Sequence, residues 1–294
     1  HTASRRAGGA TADHWVRRHV LHGTASCDYL WIDEVYQVDV GLLNQIAKLL
    51  WTGVKFLLSG DFHQFPPICN GWRGSPVAED ALEKSSLLFT MADGNRCTLT
   101  ECRRGDRKLF DFYSSLIRGG CRFTLPSNDV LNEARTLFDY EGICRNNLCI
   151  SHAKRKRINR EVNLALKPDN AIYIKASPVR GQQNVSQNMW IWEGIELLGC
   201  VSGIKKGIRN NVIYPVTKME DDSVTVKGEE EIKLSVAKVQ QVMRLSFART
   251  YASCQGSEFD TELRMHCTNS RYFTMRHLFV GMSRCKDKKK LSII

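Results

Sequence analysis

Two short apolar runs, Tyr29-Leu30-Trp31-Ile32 and Val54-Lys55-Phe56-Leu57-Leu58, are each followed at once by acidic residues. Both are rich in strand formers. The pattern predicts buried parallel strands that deliver carboxylates to the carboxyl edge of a sheet. The first run ends in Asp33-Glu34 and the second in Ser59-Gly60-Asp61-Phe62-His63-Gln64-Phe65-Pro66-Pro67. Between them Asp39 predicts the cap of a helix with Val40, Leu43, Ile46, Ala47 and Leu50 on one face. That strand–helix–strand order suits a parallel crossover. Residues 70–94 read as loop and then a short amphipathic stretch. Asp106 predicts the cap of a helix burying Leu109, Phe112, Tyr113, Leu116 and Ile117, ended by Gly119-Gly120. Leu148-Cys149-Ile150 reads as a strand. Ser151 then opens a helix burying Ile158, Val162, Ala165 and Leu166, stopped by Pro168. The other face of this helix carries Lys154, Arg155, Lys156, Arg157 and Arg160, a solvated face or a phosphate-contacting one.

From residue 171 to about 240 helical periodicity fades. Val212–Val216 and Ser223–Val226 flank an acidic turn, Glu220-Asp221-Asp222, and predict a small β module inserted into an α/β domain. Trp190 and Trp192 alternate with Ile191 and share one face of a strand; core packing is the expected role, base stacking the alternative. The α/β pattern resumes at Met243. At the start of the chain, small and hydroxyl residues followed by Gly8-Gly9 predict a strand end turning into a helix.

Composition narrows the function classes. The 294 residues carry a formal net charge of +11, which favours a polyanionic partner, nucleic acid by default. No apolar run approaches the roughly 18 residues of a membrane span, and no signal peptide is visible. Eleven cysteines, an odd number with no C-x-x-C pair, predict a reduced, intracellular protein. Cys97, Cys102 and Cys121, or Cys144 and Cys149 with His152, fit no common zinc spacing.

The acidic strand ends carry the candidate chemistry. Ligands of open α/β sheets sit at the carboxyl edge. Asp33 there can hold Mg²⁺ through water beside nucleotide phosphates, and Glu34 can polarise the attacking water. Gln64 can sense a γ-phosphate, since an amide both donates and accepts.

These residues resemble a family. Trp31-Ile32-Asp33-Glu34 resembles helicase motif II, the Walker B box, and Gly60–Pro67 resembles motif III of superfamily-1 helicases. The Gln-aromatic-Pro-Pro ending is similar to the PIF/RecD-like branch of DNA helicases. His1–His14 resembles motif Ia, which implies backbone contacts to DNA by Thr2, Ser4 and His14. Leu99–Asp106 resembles motif IV, whose phosphate-reaching arginine falls on Arg104, with Arg103 as the other choice. Leu245–Gly256 resembles motif V, keeping Thr250, Gln255 and Gly256 but carrying Ala252-Ser253 in place of the usual His-Lys. His277–Arg284 resembles motif VI, which makes Arg284 the arginine completing the charge clamp on the γ-phosphate.

The resemblance implies an α/β fold of two RecA-like parallel-sheet domains, the second interrupted by a small SH3-like β insertion. The implied division is 1–100 for the first domain, 101–185 with 241–294 for the second, and 186–240 for the insertion. It implies ATP and Mg²⁺ as cofactors. Glu34, Gln64, Arg104 and Arg284 would act in catalysis, and Asp33 and Gly256 would complete the nucleotide site. DNA would contact Thr2, Ser4, His14, His63, Phe65, Pro66 and Thr250. Single-stranded DNA and duplex junctions are the implied partners of a monomer moving 5′-to-3′. No Gly-x-x-x-x-Gly-Lys-Ser/Thr occurs in the chain, and it does not begin with Met, so truncation upstream of motif Ia is expected. The alternatives are a non-catalytic nucleic-acid-binding remnant and a viral superfamily-1 RNA helicase.

Overall fold

A computed structural model describes residues 9–67, 70–72, 74–117, 122–177, 186–200 and 207–294. Thr2 and Ser4 therefore lie outside the described residues, as does Cys121. The chain divides into two compact units. One holds residues 1–125, 255–258 and 274–286; the other holds 126–254, 259–273 and 287–294.

The first unit opens with a helical turn, Ala12–Trp15 (α1), capped by the Thr11 hydroxyl. Tyr29–Ile32 (β1) and Lys55–Leu58 (β2) pair in parallel, Tyr29 opposite Lys55 and Ile32 opposite Leu58. Val40–Ala47 (α2) joins them, and the Asp39 carboxylate accepts from the Leu42 amide at 2.9 Å, as its sequence position predicts. Leu43 and Ile46 of α2 pack with Ile32 and Phe56 in one core. The strands are parallel as expected but are not buried on both faces. Tyr29, Trp31 and Leu57 are 60%, 59% and 57% exposed, so burial alternates along β1 and β2. The apolar runs therefore mark a sheet covered on one side among the described residues. A short hairpin follows, Gly71–Trp72 (β3) with Ser75–Pro76 (β4), and then Ser86–Met91 (α3). Arg107–Ser115 (α4) is capped by Asp106, which accepts from the Leu109 amide at 3.1 Å.

The second unit begins with Asn128–Leu137 (α5), Asn146–Cys149 (β5) and His152–Leu166 (α6), the last capped by Ser151. Ile172–Ile174 (β6) pairs antiparallel with Met189–Ile191 (β7). Glu196–Gly199 (β8), Ile213–Glu220 (β9), Ser223–Lys227 (β10) and Glu231–Ser235 (β11) follow. After Val236–Val242 (α7) comes Met243–Leu245 (β12). These five strands form one antiparallel sheet in the order β11-β10-β9-β8-β12. Its buried Leu197, Tyr214, Val216, Val224, Val226 and Leu234 share a core with Met189 and Ile191. Ala248–Thr250 (β13), Leu263–Met265 (β14) and Leu291–Ile293 (β15) join β5 in a four-stranded sheet, β13-β5-β14-β15, whose pairings are all parallel. The last helix, Met275–Met282 (α8), belongs to the first unit.

Two sequence expectations fail on side-chain direction. Ala165 is exposed on α6 rather than buried, while Arg155, expected on the basic face, is 2% exposed. The inward row of α6 is instead Arg155, Asn159 and Asn163 at four-residue spacing, with Ile158 beside it. Hydrogen bonds explain this polar row. Asn159 accepts from the Ala248 amide at 2.8 Å. Asn163 donates to the Trp190 carbonyl and accepts from the Trp190 amide, both at 2.8 Å, as a strand neighbour would. With that edge paired, Met189 and Ile191 turn inward and Trp190 turns out.

Asn163→Ala should therefore destabilise the protein by about 1–3 kcal/mol, since it strands two backbone groups together. Chemical denaturation measures this, and an unchanged midpoint would show that the Trp190 backbone finds other partners.

Candidate active site

The ends of β1 and β2 are tied together by backbone. The Ser59 amide donates to the Ile32 carbonyl at 3.0 Å and the Val35 amide donates to the Ser59 carbonyl at 2.9 Å. The Ser59 hydroxyl donates to Asp33 Oδ1 at 2.8 Å and accepts from the Trp31 indole at 3.0 Å. This lattice turns the chain sharply between Asp33 and Val35. Glu34 sits there in the left-handed region, φ 53° and ψ 45°. A glutamate rarely adopts that conformation, and such outliers cluster where function demands them. Gly60 permits the turn, because a Cβ there would lie 3.1 Å from the Val35 amide nitrogen.

Charge converges on Glu34. Burial is the main cause that raises its carboxyl above the ordinary glutamate value. Arg284 opposes this, Asp33 and Asp61 add to it, and a hydrogen bond with Gln37 opposes it. Asp61 folds back on its own loop and accepts from the His63 amide at 2.9 Å. Gln64 follows in the same loop, 8% exposed, and its buried Oε1 has no hydrogen-bond partner among the described residues. An unsatisfied buried acceptor costs free energy and calls for a ligand or water.

Arg284 is 4% exposed and follows α8, with Nε and Nη2 donating to the Ser283 hydroxyl at 3.1 and 2.9 Å. Besides Glu34 it acts on the Tyr113 phenol, which Arg104 also reaches. Arg104 itself pairs with Glu258 at 3.0 Å, and Lys286 holds the other oxygen of Glu258 at 3.3 Å. Arg103 is 89% exposed and pairs with the exposed Glu101. Of the two arginines, both exposed, Arg104 is the one that stands beside Tyr113 and pairs with Glu258. Its loop runs close along the chain after α8: the Asp106 amide donates to the Lys286 carbonyl at 2.9 Å, and a Cβ on Gly105 would lie 3.2 Å from that oxygen.

The remaining candidates are dispersed. His14 is exposed on α1. His63 and Phe65 are half-buried against α8, with ring contacts to Phe279 at 5.9 Å and His277 at 4.7 Å. Pro66 is half-buried beside them in sequence. The Phe65 carbonyl accepts from Gln255 at 3.0 Å. Gly256 takes φ +71° with nothing close to its missing side chain. Thr250 ends β13 in the other unit, and its hydroxyl bonds Ser253 at 3.0 Å. Ser59, Asp61, Tyr113 and Glu258 gain places at the site that sequence reasoning did not assign them. Asp61 lay within a recognised motif; Glu258 carried no signal of its own.

These residues suit a nucleotide with a divalent cation. Two further carboxylates and one buried arginine act on Glu34, an excess of negative charge that a hydrated cation would balance. Among the described residues no three His, Cys, Asp or Glu side chains group as a metal site.

The environment of Glu34 predicts a stability effect. Its folded-state carboxyl titrates higher than in the unfolded chain, so ionisation costs stability above the folded value and nothing below the unfolded one. Glu34→Gln should therefore raise the melting temperature at neutral pH. The gain should shrink as pH falls through the ordinary glutamate range. A loss at neutral pH would mean that the Arg284 attraction outweighs burial, and a pH-independent gain that ionisation of Glu34 is not its source.

No protein-family model matches the chain, and no curated protein does. Solved structures do. A Bacteroides Pif1 helicase in complex with ADP-AlF3 and single-stranded DNA aligns with a TM-score of 0.63 at 19% identity, over 99% of this chain and 80% of that one. Pif1 helicase from Candida albicans aligns at 0.60 and 14% identity, over 100% and 78%. A structure of DNA unwinding at forked double-stranded DNA by two coordinating Pif1 helicases aligns at 0.59 and 19% identity, over 90% and 68%. The chain has the α/β fold of these Pif1 helicase structures.

Proposed function

We propose that this chain is the motor core of an ATP-dependent DNA helicase that moves along single-stranded DNA, 5′-to-3′, and opens duplex junctions. The observation that carries the reading is the setting of Glu34, a strained, partly desolvated carboxylate with Arg284 acting on it and Asp33 and Asp61 beside it. Pif1 helicases solved with ADP-AlF3 and single-stranded DNA, and at forked duplex DNA, support the ligand classes.

In this reading Asp33 holds the hydrated Mg²⁺ and Ser59 fixes its carboxylate. Glu34 takes the proton of the attacking water, and a raised carboxyl affinity for protons suits a general base. Gln64 donates from its amide NH₂ to the γ-phosphate, and its unsatisfied oxygen accepts from the attacking water. Arg284 spreads its fork over the charge that develops on the transferring group, and Arg104 joins it once drawn from Glu258. Bound Mg²⁺ would supply charge neutralisation across the phosphates. Gly256 borders the nucleotide, while Thr2, Ser4, His14, His63, Phe65, Pro66 and Thr250 contact DNA. The protein works as a monomer in a reducing compartment; no helix among the described residues is long and apolar enough to cross a membrane.

In a protein that joins this chain to a Gly-x-x-x-x-Gly-Lys loop, Glu34→Gln should leave ATP binding near normal and slow hydrolysis by roughly 10²-fold or more. Hydrolysis at the parental rate would remove Glu34 from the role of base. Arg284→Lys keeps the charge but loses the fork, and should also lose most activity.

The 294-residue chain alone should bind single-stranded DNA in a steeply salt-dependent way without releasing phosphate from ATP. Fluorescence anisotropy and a phosphate-release assay on one sample test both halves. DNA-stimulated phosphate release would show that the loop is dispensable, and salt-insensitive or undetectable DNA binding would defeat the functional reading.

A further inference from the structure

The second unit contains a cavity of about 400 Å³ lined by Lys156, Arg157, Arg160, Gln187 and Asn188. The three cations lie at three- and four-residue spacing on one side of α6, and all three are exposed. The two carboxamides complete a wall of donors. Gln187 Oε1 already accepts from Asn159 at 3.2 Å, and Asn188 Oδ1 accepts from the Ala176 amide at 2.9 Å. Their oxygens are thus engaged inside the protein, which leaves the NH₂ ends to face a ligand. Among the described residues no carboxylate lines the cavity. Glu161 is, among the described residues, the acid paired with these cations, meeting Arg157 at 3.3 Å at a site more than half exposed, where pairing is weak. Cationic side chains with amide donors and no acceptor are complementary to phosphate oxygens.

An aromatic surface continues the path. Asn163, on the next turns of α6, holds the backbone of Trp190. Trp190 faces outward against Tyr173, ring centroids 5.2 Å apart, and the Lys167 ammonium lies 4.9 Å from the Trp190 ring. Tyr173 is 49% exposed. From Lys156 to Lys167 the rise along α6 is about 16 Å, the span of a few nucleotides.

We propose that this cavity is a second binding station for single-stranded DNA, taking backbone phosphates at Lys156, Arg157 and Arg160 and stacking a base on Tyr173 and Trp190. The inference rests on the DNA-motor reading and adds to it a contact surface that motif resemblance did not mark. Phosphate supplies the affinity here and the aromatic pair supplies sequence-tolerant stacking.

The test uses the full chain and labelled oligothymidylate. Each phosphate contact to a single strand contributes about 0.7 to the slope of log affinity against log salt. K156Q/R157Q/R160Q should reduce that slope by about 2 and weaken binding roughly tenfold or more at low salt. Tyr173→Ala should weaken binding about fivefold or more with the slope unchanged, since stacking releases no counterions. A photoreactive benzoylphenylalanine in place of Lys156 should crosslink to the oligonucleotide, and one in place of the exposed Lys233 should not. That second measurement stands if the triple variant loses its thermal transition. Parental slope in a folded triple variant, or crosslinking no greater at position 156 than at 233, overturns the proposal while leaving the motor reading in place. If the parent chain itself binds no DNA, both fall.

Discussion

The site depends on one close approach between backbones, where the loop after β2 crosses the turn after β1. Gly60 can pass the Val35 amide because it has no side chain, and Ser59 fastens the crossing with both its amide and its carbonyl. Everything chemical follows from that crossing. It forces Glu34 into the left-handed region, brings the Ser59 hydroxyl to Asp33, and starts the Asp61 turn that carries Gln64 inward. A side chain at position 60 would press on the Val35 amide, which would have to give by a few tenths of an ångström.

Burial and charge then set the character of the site. Desolvation works against the charged form of Glu34, and the neighbouring aspartates work in the same direction. Arg284 counters them from the end of α8, where its guanidinium also donates to the Ser283 hydroxyl. The same loop-to-helix arrangement holds Arg104 beside Glu258, a partly exposed pair that a competing phosphate could replace at little cost. A site of this kind is poised rather than closed: Gln64 keeps a buried oxygen unsatisfied, and the carboxylates outnumber the cation facing them.

The second unit uses buried polarity differently. On α6 the inward Asn159 and Asn163 act as surrogate strand edges, so a helix surface with little hydrocarbon still packs against β7 and β13. Because those amides take the inward positions, the cations of the same helix are displaced to the outer side, next to Gln187 and Asn188. The outward turn of Trp190 has the same origin.

Much was legible in the linear sequence where one residue decides one event. Asp39, Asp106 and Ser151 cap the helices they precede, and the acidic ends of two apolar runs lie side by side on parallel strands. Those features are local, set by side chain to backbone bonds within a few residues or by strand length and pairing. What sequence could not supply depends on distant neighbours. The runs at β1 and β2 look alike on both faces, so only packing reveals that Tyr29, Trp31 and Leu57 stay exposed. Arg155 reads as one more surface cation until its helix is docked. Glu258 becomes the partner of Arg104 only because the chain re-enters the first unit for four residues, a path that no periodicity records. Residue type and spacing determined which groups could do chemistry; tertiary structure decided which of them meet, because burial and pairing are properties of the fold and not of any one segment.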